Sequence, residues 1–292
     1  MVRSIPATRV DKEVLGKRAA RYLSATPRPF LRWAGSKRAL LAHIVDVLPA
    51  TFRQYHEPFL GSGSLFFLLQ PERAILSDAC GELVETFLAV RDKPELVLRY
   101  ISALKIDREI FYTVRANRSL GRYKRAAEFI YLNKACWNGL YRVNSNGDFN
   151  VPYGAPKSAN VIDDLNLRRC AEVLSRPGIN VKQASFLETL PDVQDGDLVF
   201  LDPPYVTGHN NNGFVDYNET LFSWGDQVEA ARAAIAAANR GAHVIVTNAY
   251  HDDVLALYPG FSVKPLSRAS TLASNSAKRR RVEEAVIWKR SE

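Results

Sequence analysis

The stretch Leu198-Val199-Phe200-Leu201-Asp202-Pro203-Pro204-Tyr205 decides the fold. Apolar residues running into proline read as a buried strand that stops abruptly. Two consecutive prolines fix two φ angles and remove two N–H donors, so the segment is stiff and its carbonyls are left to accept hydrogen bonds. A carboxylate, unpaired carbonyls and an aromatic face thus meet within a few residues at the mouth of a sheet. Such a set can grip an amino group on a flat aromatic ring, with Asp202 and a proline carbonyl accepting its N–H bonds and Tyr205 stacking on the ring. The same residues fit equally well a strand-ending turn in which Asp202 only caps the chain.

Upstream, the strand-like Tyr55-His56-Glu57-Pro58-Phe59 enters Leu60-Gly61-Ser62-Gly63-Ser64 and then the apolar Leu65–Leu69. Strand, glycine turn and helix make the first βα unit of a nucleotide-binding sheet, in which Gly61 and Gly63 allow a ligand close to the backbone. The pattern is GxG rather than GxGxxG and is weak alone. A second strand, Ala74–Ser77, ends at Asp78, where an acidic residue is placed for ribose hydroxyls; the plainer reading is a helix cap. Earlier still, Phe30-Leu31-Arg32-Trp33-Ala34-Gly35-Ser36-Lys37 leads into a helical pattern through Leu48. The turn at Gly35-Ser36 puts Lys37 near a positive helix end, a seat for a carboxylate.

Helical periodicity then runs in pieces around 82–91, 94–104, 108–118 and 123–135. It is followed by Cys136-Trp137-Asn138-Gly139-Leu140-Tyr141-Arg142-Val143-Asn144-Ser145-Asn146-Gly147. Asn146-Gly147 between alternating flanks predicts a β-hairpin. Its Trp137, Asn138, Tyr141, Arg142 and Asn144 are side chains suited to base edges and stacks, although a structural hairpin with a half-buried Trp fits too. The sheet resumes after a helix near Asp164–Leu174, with strands at Val181–Ala184, up to Leu201, Ala242–Thr247, Phe261–Leu266 and Glu284–Lys289. An Ala-rich helix, Asp226–Asn239, starts at Asp226 and stops before Gly241. The loop Val206–Trp224 is long enough to be a lid. Lys278-Arg279-Arg280-Arg281 precedes the last strand and reads either as a solvated turn or as a phosphate contact.

Composition sets the outer bounds. The 292 residues are 47% hydrophobic, enough for one large domain or one with an insertion. No apolar run spans a bilayer, and Met1-Val2-Arg3-Ser4-Ile5-Pro6 has no signal-peptide core, so no membrane partner and a cytoplasmic setting are expected. Cys80, Cys136 and Cys170 are odd in number and widely spaced, which argues for reduced thiols and against a disulfide frame or a metal site. The excess of 39 Lys+Arg over 31 Asp+Glu, a formal charge of +8, suits a polyanionic partner without proving one. Residues 1–28 are basic, with a short amphipathic helix around Val14–Tyr22, and are expected to form a solvated extension.

Taken in order, WAG-x-K at Trp33–Lys37, EPF-x-G-x-G at Glu57–Gly63, Ser77-Asp78, YLNK…NGLYR-VN…G-x-FNVP over Tyr131–Gly154, DPPY at Asp202–Tyr205 and the stretch Arg268–Glu284 resemble the Dam-type (D12 class, α group) DNA adenine-N6 methyltransferases. The resemblance covers almost everything after residue 28. It implies an α/β, Rossmann-like S-adenosylmethionine-dependent methyltransferase sheet over 29–80 and 164–292, with an inserted helical and β-hairpin target-recognition domain over 81–163. It implies transfer of methyl from S-adenosylmethionine to N6 of an adenine flipped out of double-stranded DNA, leaving S-adenosylhomocysteine, with no metal.

By resemblance, Trp33, Lys37, Phe59, Gly61, Gly63, Asp78 and Asp202 match cofactor positions, and Asp202, Pro203 and Tyr205 match the adenine pocket. Trp137 matches an aromatic inserted beside the flipped base and Asn138 its DNA-contacting neighbour. Arg142 and Arg32 match guanine readers, and Leu140 and Pro152 match apolar readers of adjacent pairs. Ser36 stands where a second glycine is common, and Ala155-Pro156 replaces the Arg-Tyr of the enteric enzymes. The expected target is therefore GATC or a related short site. A monomer of bacterial or phage origin, nucleoid-associated, with or without a cognate restriction nuclease, completes the expectation. Two rivals stay open on sequence: an RNA or protein amide methyltransferase using the same pocket, and a catalytically silent DNA-binding regulator.

Overall fold

The computed structural model describes residues 7–21, 26–33, 37–156, 162–205, 222–269 and 281–291. The loop residues 206–221, the Gly35-Ser36 turn and Lys278, Arg279 and Arg280 lie outside them. Nine strands are described: β1 (Thr8–Arg9), β2 (Thr51–Phe52), β3 (Tyr55–Glu57), β4 (Ala74–Asp78), β5 (Ile179–Gln183), β6 (Leu198–Leu201), β7 (His243–Ala249), β8 (Ser262–Ala269) and β9 (Arg281–Lys289). Seven of them form one sheet in the order β5-β4-β3-β6-β7-β9-β8. From β5 to β7 all pairs are parallel, and β9 joins β7 and β8 antiparallel. The chain leaves β3 toward β4 on one side and reaches β6 on the other, which parts the sheet's carboxyl ends into a crevice.

Both faces of the sheet are covered, which is why β6 reads as an unbroken apolar run. On one face, Phe30, Phe67 and Phe87 lie in mutual ring contact above the strands. On the other lies the helix Trp224–Asn239, whose Ala230, Ala231, Ala234, Ala237 and Ala238 are buried. Its N-cap is Ser223, and Asp226, expected at its start, is instead the return partner of a capping box. Past its end Gly241 has φ +93°, and a Cβ there would lie 2.2 Å from Asp195 Oδ1, so glycine is required.

The four helical pieces of the middle region are α4 (Gly81–Asp92), α5 (Pro94–Ser102), α6 (Arg108–Ala116) and α7 (Arg122–Ala135), after α1 (Lys12–Arg21), α2 (Leu41–Val47) and α3 (Ser64–Leu69). A run of α7 from Ala126 to Asn133 is buried on every side, as befits a helix enclosed by neighbours. Its Glu128 is stabilised there by Arg118 and by the N–H and hydroxyl of Ser119. The helix after Lys37 opens as a single 3-10 turn, Lys37–Leu40, before becoming regular.

Two expectations change. The N-terminal stretch is not a solvated extension: β1 pairs with β2, and Leu15 of α1 is buried in the core. The single leucine of α1, Leu15, enters the core from a helix whose basic composition hid it. The Asn146-Gly147 segment does reverse the chain, with Gly147 at φ +83°, but its arms pair as the isolated bridges Val143↔Phe149 and Cys136↔Tyr153, with Asn144 N–H donating to Asp148 O and Asn150 N–H to Arg142 O, and form no longer strands. The Asn144 side chain accepts from the N–H groups of Asn146 and Asp148, so an Asx turn supports this short ladder.

At the amino end of the strands, away from the crevice, buried Asp197 accepts from Arg53 Nε at 2.9 Å and meets His56 Nε2 at 3.0 Å. Burial alone would raise its pKa; the bonds from His56 and Arg53 outweigh that and hold the carboxyl below the usual range. A depressed carboxyl stabilises the fold fully above the unfolded value of about 4 and ceases to do so as pH falls through the lower folded value. Asp197→Ala should therefore cost about 3 kcal/mol at neutral pH, since it strands Arg53 and His56. Urea melts should also show the wild type and variant converging as the solution is acidified below pH 4; parallel curves would remove Asp197 from the acid response.

Candidate active site

Strand register alone builds the crevice. Glu57 pairs with Leu76 on β4, and Tyr55 pairs with Leu198 on β6. Side chains alternate along a strand, so Glu57 shares a sheet face with Asp78, one pleat beyond Leu76, and with Asp202, one pleat beyond Phe200. The row continues to Thr247 on β7, whose hydroxyl donates to Asp202 Oδ1 at 2.7 Å, and to Glu284, opposite Ala249 on β9. Asp78, Glu57, Asp202 and Glu284 thus line one edge of one face, with Glu57 and Glu284 each buried to 2% exposure or less.

One lysine enters this row. Lys37, 4% exposed, places Nζ 2.8 Å from Asp202 Oδ1 and 4.4 Å from the centre of the Tyr205 ring. Lys37 stands at the start of the 3-10 turn that leads into α2, and its ammonium reaches Asp202 and the Tyr205 ring. The contacts of Lys37 and Thr247 with Asp202 both fall on Oδ1, and Oδ2 accepts from none of the described residues. The phenol of Tyr205 donates to Glu284 Oε2 at 3.2 Å. Burial, with Asp202 and Glu284 beside it, pushes that phenol well up, so it stays neutral and keeps its proton for Glu284.

Like charges this close cannot all ionise cheaply. Carboxylates about 8 Å apart on a diagonal repel by about 2 kcal/mol at an effective dielectric of 20. Burial raises Glu57 far above the ordinary glutamate range, and the charges of Asp202 and Asp78 add to it. Asp202 is also raised by burial, although Lys37 pulls it back. Such a row suits a cation.

Beside the row lies the glycine turn. Gly61 has φ +47° and donates its N–H to Asp78 Oδ2 at 3.0 Å, while Cys80 N donates to Oδ1 at 2.9 Å. Asp78 is therefore a brace for two loops and not the cap of α4, which is Cys80. Each of its oxygens has made one of these bonds and has further lone-pair capacity. A Cβ on Gly61 would lie 2.8 Å from Trp33 Cδ1, so the indole edge rests on the turn. The same indole stacks on Tyr141 at 5.3 Å and 19°. Phe59 stacks on Phe186 at 5.3 Å and meets Phe222 edge-on at 5.7 Å, making an apolar wall.

The loop over residues 137–152 is tied to this centre through Asn133. Its side chain accepts from Arg32 N at 2.8 Å and donates to Arg32 O and Gly139 O, clamping the two segments together. Gly139, at φ +65°, sits so close that a Cβ would fall 2.4 Å from Arg32 Cβ. Trp137, Asn138, Arg142 and Pro152 are exposed on this loop and Leu140 is half-buried. Arg142 Nε donates to Asn150 Oδ1 at 2.7 Å, which fixes the guanidinium plane. Lys134, half-buried at the end of α7, is pushed down to about 8 by burial, with Arg32 adding to it.

Sequence reasoning missed several members. Glu57 and Asn133 lay inside quoted motifs but carried no role, and Thr247, Glu284, Phe186 and Phe222 become visible only through register and ring contacts. Among the described residues no group of acids, histidines and cysteines could hold a metal ion.

A family model described as D12 class N6 adenine-specific DNA methyltransferase matches residues 33–272. The chain is 31% identical over 268 residues to the Type II methyltransferase M1.LlaDCHI of Lactococcus lactis subsp. cremoris, covering 89% of this chain and 94% of that protein. It is 33% identical over 261 residues to the Type II methyltransferase M.MjaIII of Methanocaldococcus jannaschii, covering 81% and 90%. Against the DNA adenine methylase of Escherichia coli K12 the identity is 29% over 265 residues, covering 88% and 93%.

The contact between Trp33 and the glycine turn makes a measurable expectation. Gly61→Ala should cost about 1–3 kcal/mol, from the left-handed backbone and the clash together. Part of that cost should vanish when Trp33 is also changed to Ala, because only the clash depends on the indole. Strict additivity in a double-mutant cycle of thermal stabilities would place the strain elsewhere.

Proposed function

The chain belongs to the D12 class N6 adenine-specific DNA methyltransferases, and on that premise we propose how its own residues carry out the methylation of adenine N6 in DNA. S-adenosylmethionine, the cofactor of this family, supplies an electrophilic methyl group on a positively charged sulfur. The crevice fits it on three counts: a buried acidic row for its cationic centres, a glycine turn that a Cβ would fill, and a carboxylate at the end of β4 with open lone pairs. In this reading Asp78 would take the ribose hydroxyls, Gly61 and Gly63 would admit the cofactor to the backbone, Trp33 would hold the turn, and Phe59 with Phe186 would flank the cofactor's adenine. Lys37, paired with Asp202, would stand between the cofactor and the target base.

Adenine N6 is a poor nucleophile because its lone pair is spread into the ring. The open Oδ2 of Asp202 and the carbonyl of Pro203 accept from its two N–H bonds, draw the nitrogen toward a pyramid and concentrate density on it. Tyr205 is the stacking platform, and its phenol is locked by Glu284 so that the ring plane is fixed before the base arrives. Positive charge that develops on N6 then faces a carboxylate already aimed at it. Holding both reactants in one crevice contributes the other large share. The observation that carries this reading is the Asp202 carboxylate, braced on one oxygen and open on the other beside an aromatic face.

The base has to leave the duplex to reach this depth. We assign Trp137 and Asn138 to the gap it leaves, Leu140 and Pro152 to neighbouring pairs, and Arg142 and Arg32 to guanine edges. Lys278 to Arg281 contact phosphates in this scheme. Residues 81–163 act as the recognition unit, inserted between the catalytic segments 29–80 and 164–292, and, of the N-terminal extension, residues 7–21 brace the core. The protein works as a monomer in the cytoplasm, at the nucleoid. A restriction nuclease of the same specificity is the partner that the Type II names of two relatives favour.

Asp202→Ala should abolish methyl transfer while leaving DNA affinity within a few-fold, because affinity rests mostly on phosphate contacts. Tritium transfer from labelled cofactor, read beside a gel-shift titration, checks both halves. Near-wild-type turnover would refute the assignment.

Arg142→Lys keeps the charge and loses the planar fork that matches O6 and N7 of guanine. It should preserve non-specific binding and its salt dependence but lose about 1–3 kcal/mol of discrimination at one guanine. A panel of duplexes changed at single bases gives the readout. Full discrimination by the variant would make Arg142 structural and leave Arg32 as the reader.

A further inference from the structure

Glu57 is the member of the acidic row that the scheme above does not use. It is 2% exposed, its Oε2 meets no donor among the described residues, and it lies one pleat beneath Asp78 and Asp202, between their strands. The charged and titratable groups that face it are Tyr55 on its own strand, Asp78 on β4 and Asp202 on β6. Lys37, the buried cation of the row, is paired with Asp202. The Tyr55 hydroxyl and, from α3, the Phe66 backbone N–H favour its ionised form, but by less than burial and the two neighbouring acids oppose it. An acid enclosed by two other acids, with an unanswered oxygen and no counterion of its own, has one inexpensive state in the free protein, the neutral one. A fixed positive charge brought into the crevice removes that reason.

We propose that Glu57 distinguishes the sulfonium cofactor from its neutral thioether product: protonated in the free protein, it releases its proton when the cation is seated and takes one back when the charge is gone. The inference rests on placing the cofactor in this crevice. Charge balances at each stage. Seating the sulfonium sends one proton from Glu57 to solvent and leaves a carboxylate beside the positive sulfur. Once the methyl group has moved to N6, the sulfur is neutral, N6 sheds one of its two protons, and uptake of one proton by Glu57 restores the crowded acidic row to the state it had before binding. The product therefore loses the attraction that held the cofactor. Burial of Glu57 supports the same direction, since it raises the carboxyl far above its ordinary value in the free protein.

Isothermal calorimetry of the full chain tests this in buffers of different ionisation enthalpy. S-adenosylmethionine binding should release close to one proton more than S-adenosylhomocysteine binding. Between the free and bound pKa values of Glu57, cofactor affinity should rise about tenfold per pH unit relative to that of the product. Glu57→Gln keeps the shape and cannot ionise; it should erase both differences while still binding both ligands. Equal proton release by the two ligands in the wild type, or an undiminished difference in Glu57→Gln, overturns the proposal. Should Glu57→Gln fail to fold, the wild-type comparison alone still decides. Failure of both ligands to bind would instead count against the crevice as the cofactor site.

Discussion

Charge crowding at the parted strands governs this molecule. Asp78, Glu57, Asp202 and Glu284 project from one face of adjoining strands, and one buried lysine is placed among them. A sheet built only for stability would put leucine at such positions, as it does at Leu76 and Leu198 in the same register. The arrangement persists because the apolar layers on both faces over-determine the strands. It also explains why the ammonium of Lys37, a residue that opens a helix, reaches into the row: the positive helix end repels it, and a carboxylate in a low dielectric attracts it.

Stiffness is the second theme. Pro203 and Pro204 hold Asp202, Thr247 braces one of its oxygens, and Glu284 fixes the tyrosine beyond. Each contact is modest, of the order of 1 kcal/mol. Together they leave the Asp202 carboxylate one orientation, so in the proposed scheme little reorganisation remains for the moment of reaction. The loop that carries Arg142 is treated likewise, with Asn150 setting the plane of the guanidinium.

How much was legible beforehand divides along physical lines. Local signals carried far: apolar periodicity located α4 to α8 (Asp164–Leu174) within a few residues, and the prolines and glycines marked the crevice. What remained hidden depends on contacts distant in sequence. Glu284 lies 79 residues from the Tyr205 hydroxyl it accepts from, and Asn133 lies 101 from Arg32. The hairpin was over-read because Asn146-Gly147 speaks for a reversal but not for what holds its arms. The packed N-terminal helix was under-read because its charge masked the one leucine that matters, Leu15.

Trp33 has one edge on Gly61 and one face on Tyr141, so a single indole belongs to both the glycine turn and the loop proposed to read DNA. The two halves are consequently not interchangeable parts. A recognition loop grafted from a relative carries its own residue at position 141, and unless that residue offers a flat ring, the indole loses its backing. Exchange of specificity among such proteins is thus constrained at a place that reads no base, and the transferable unit is the loop together with the tryptophan it leans on.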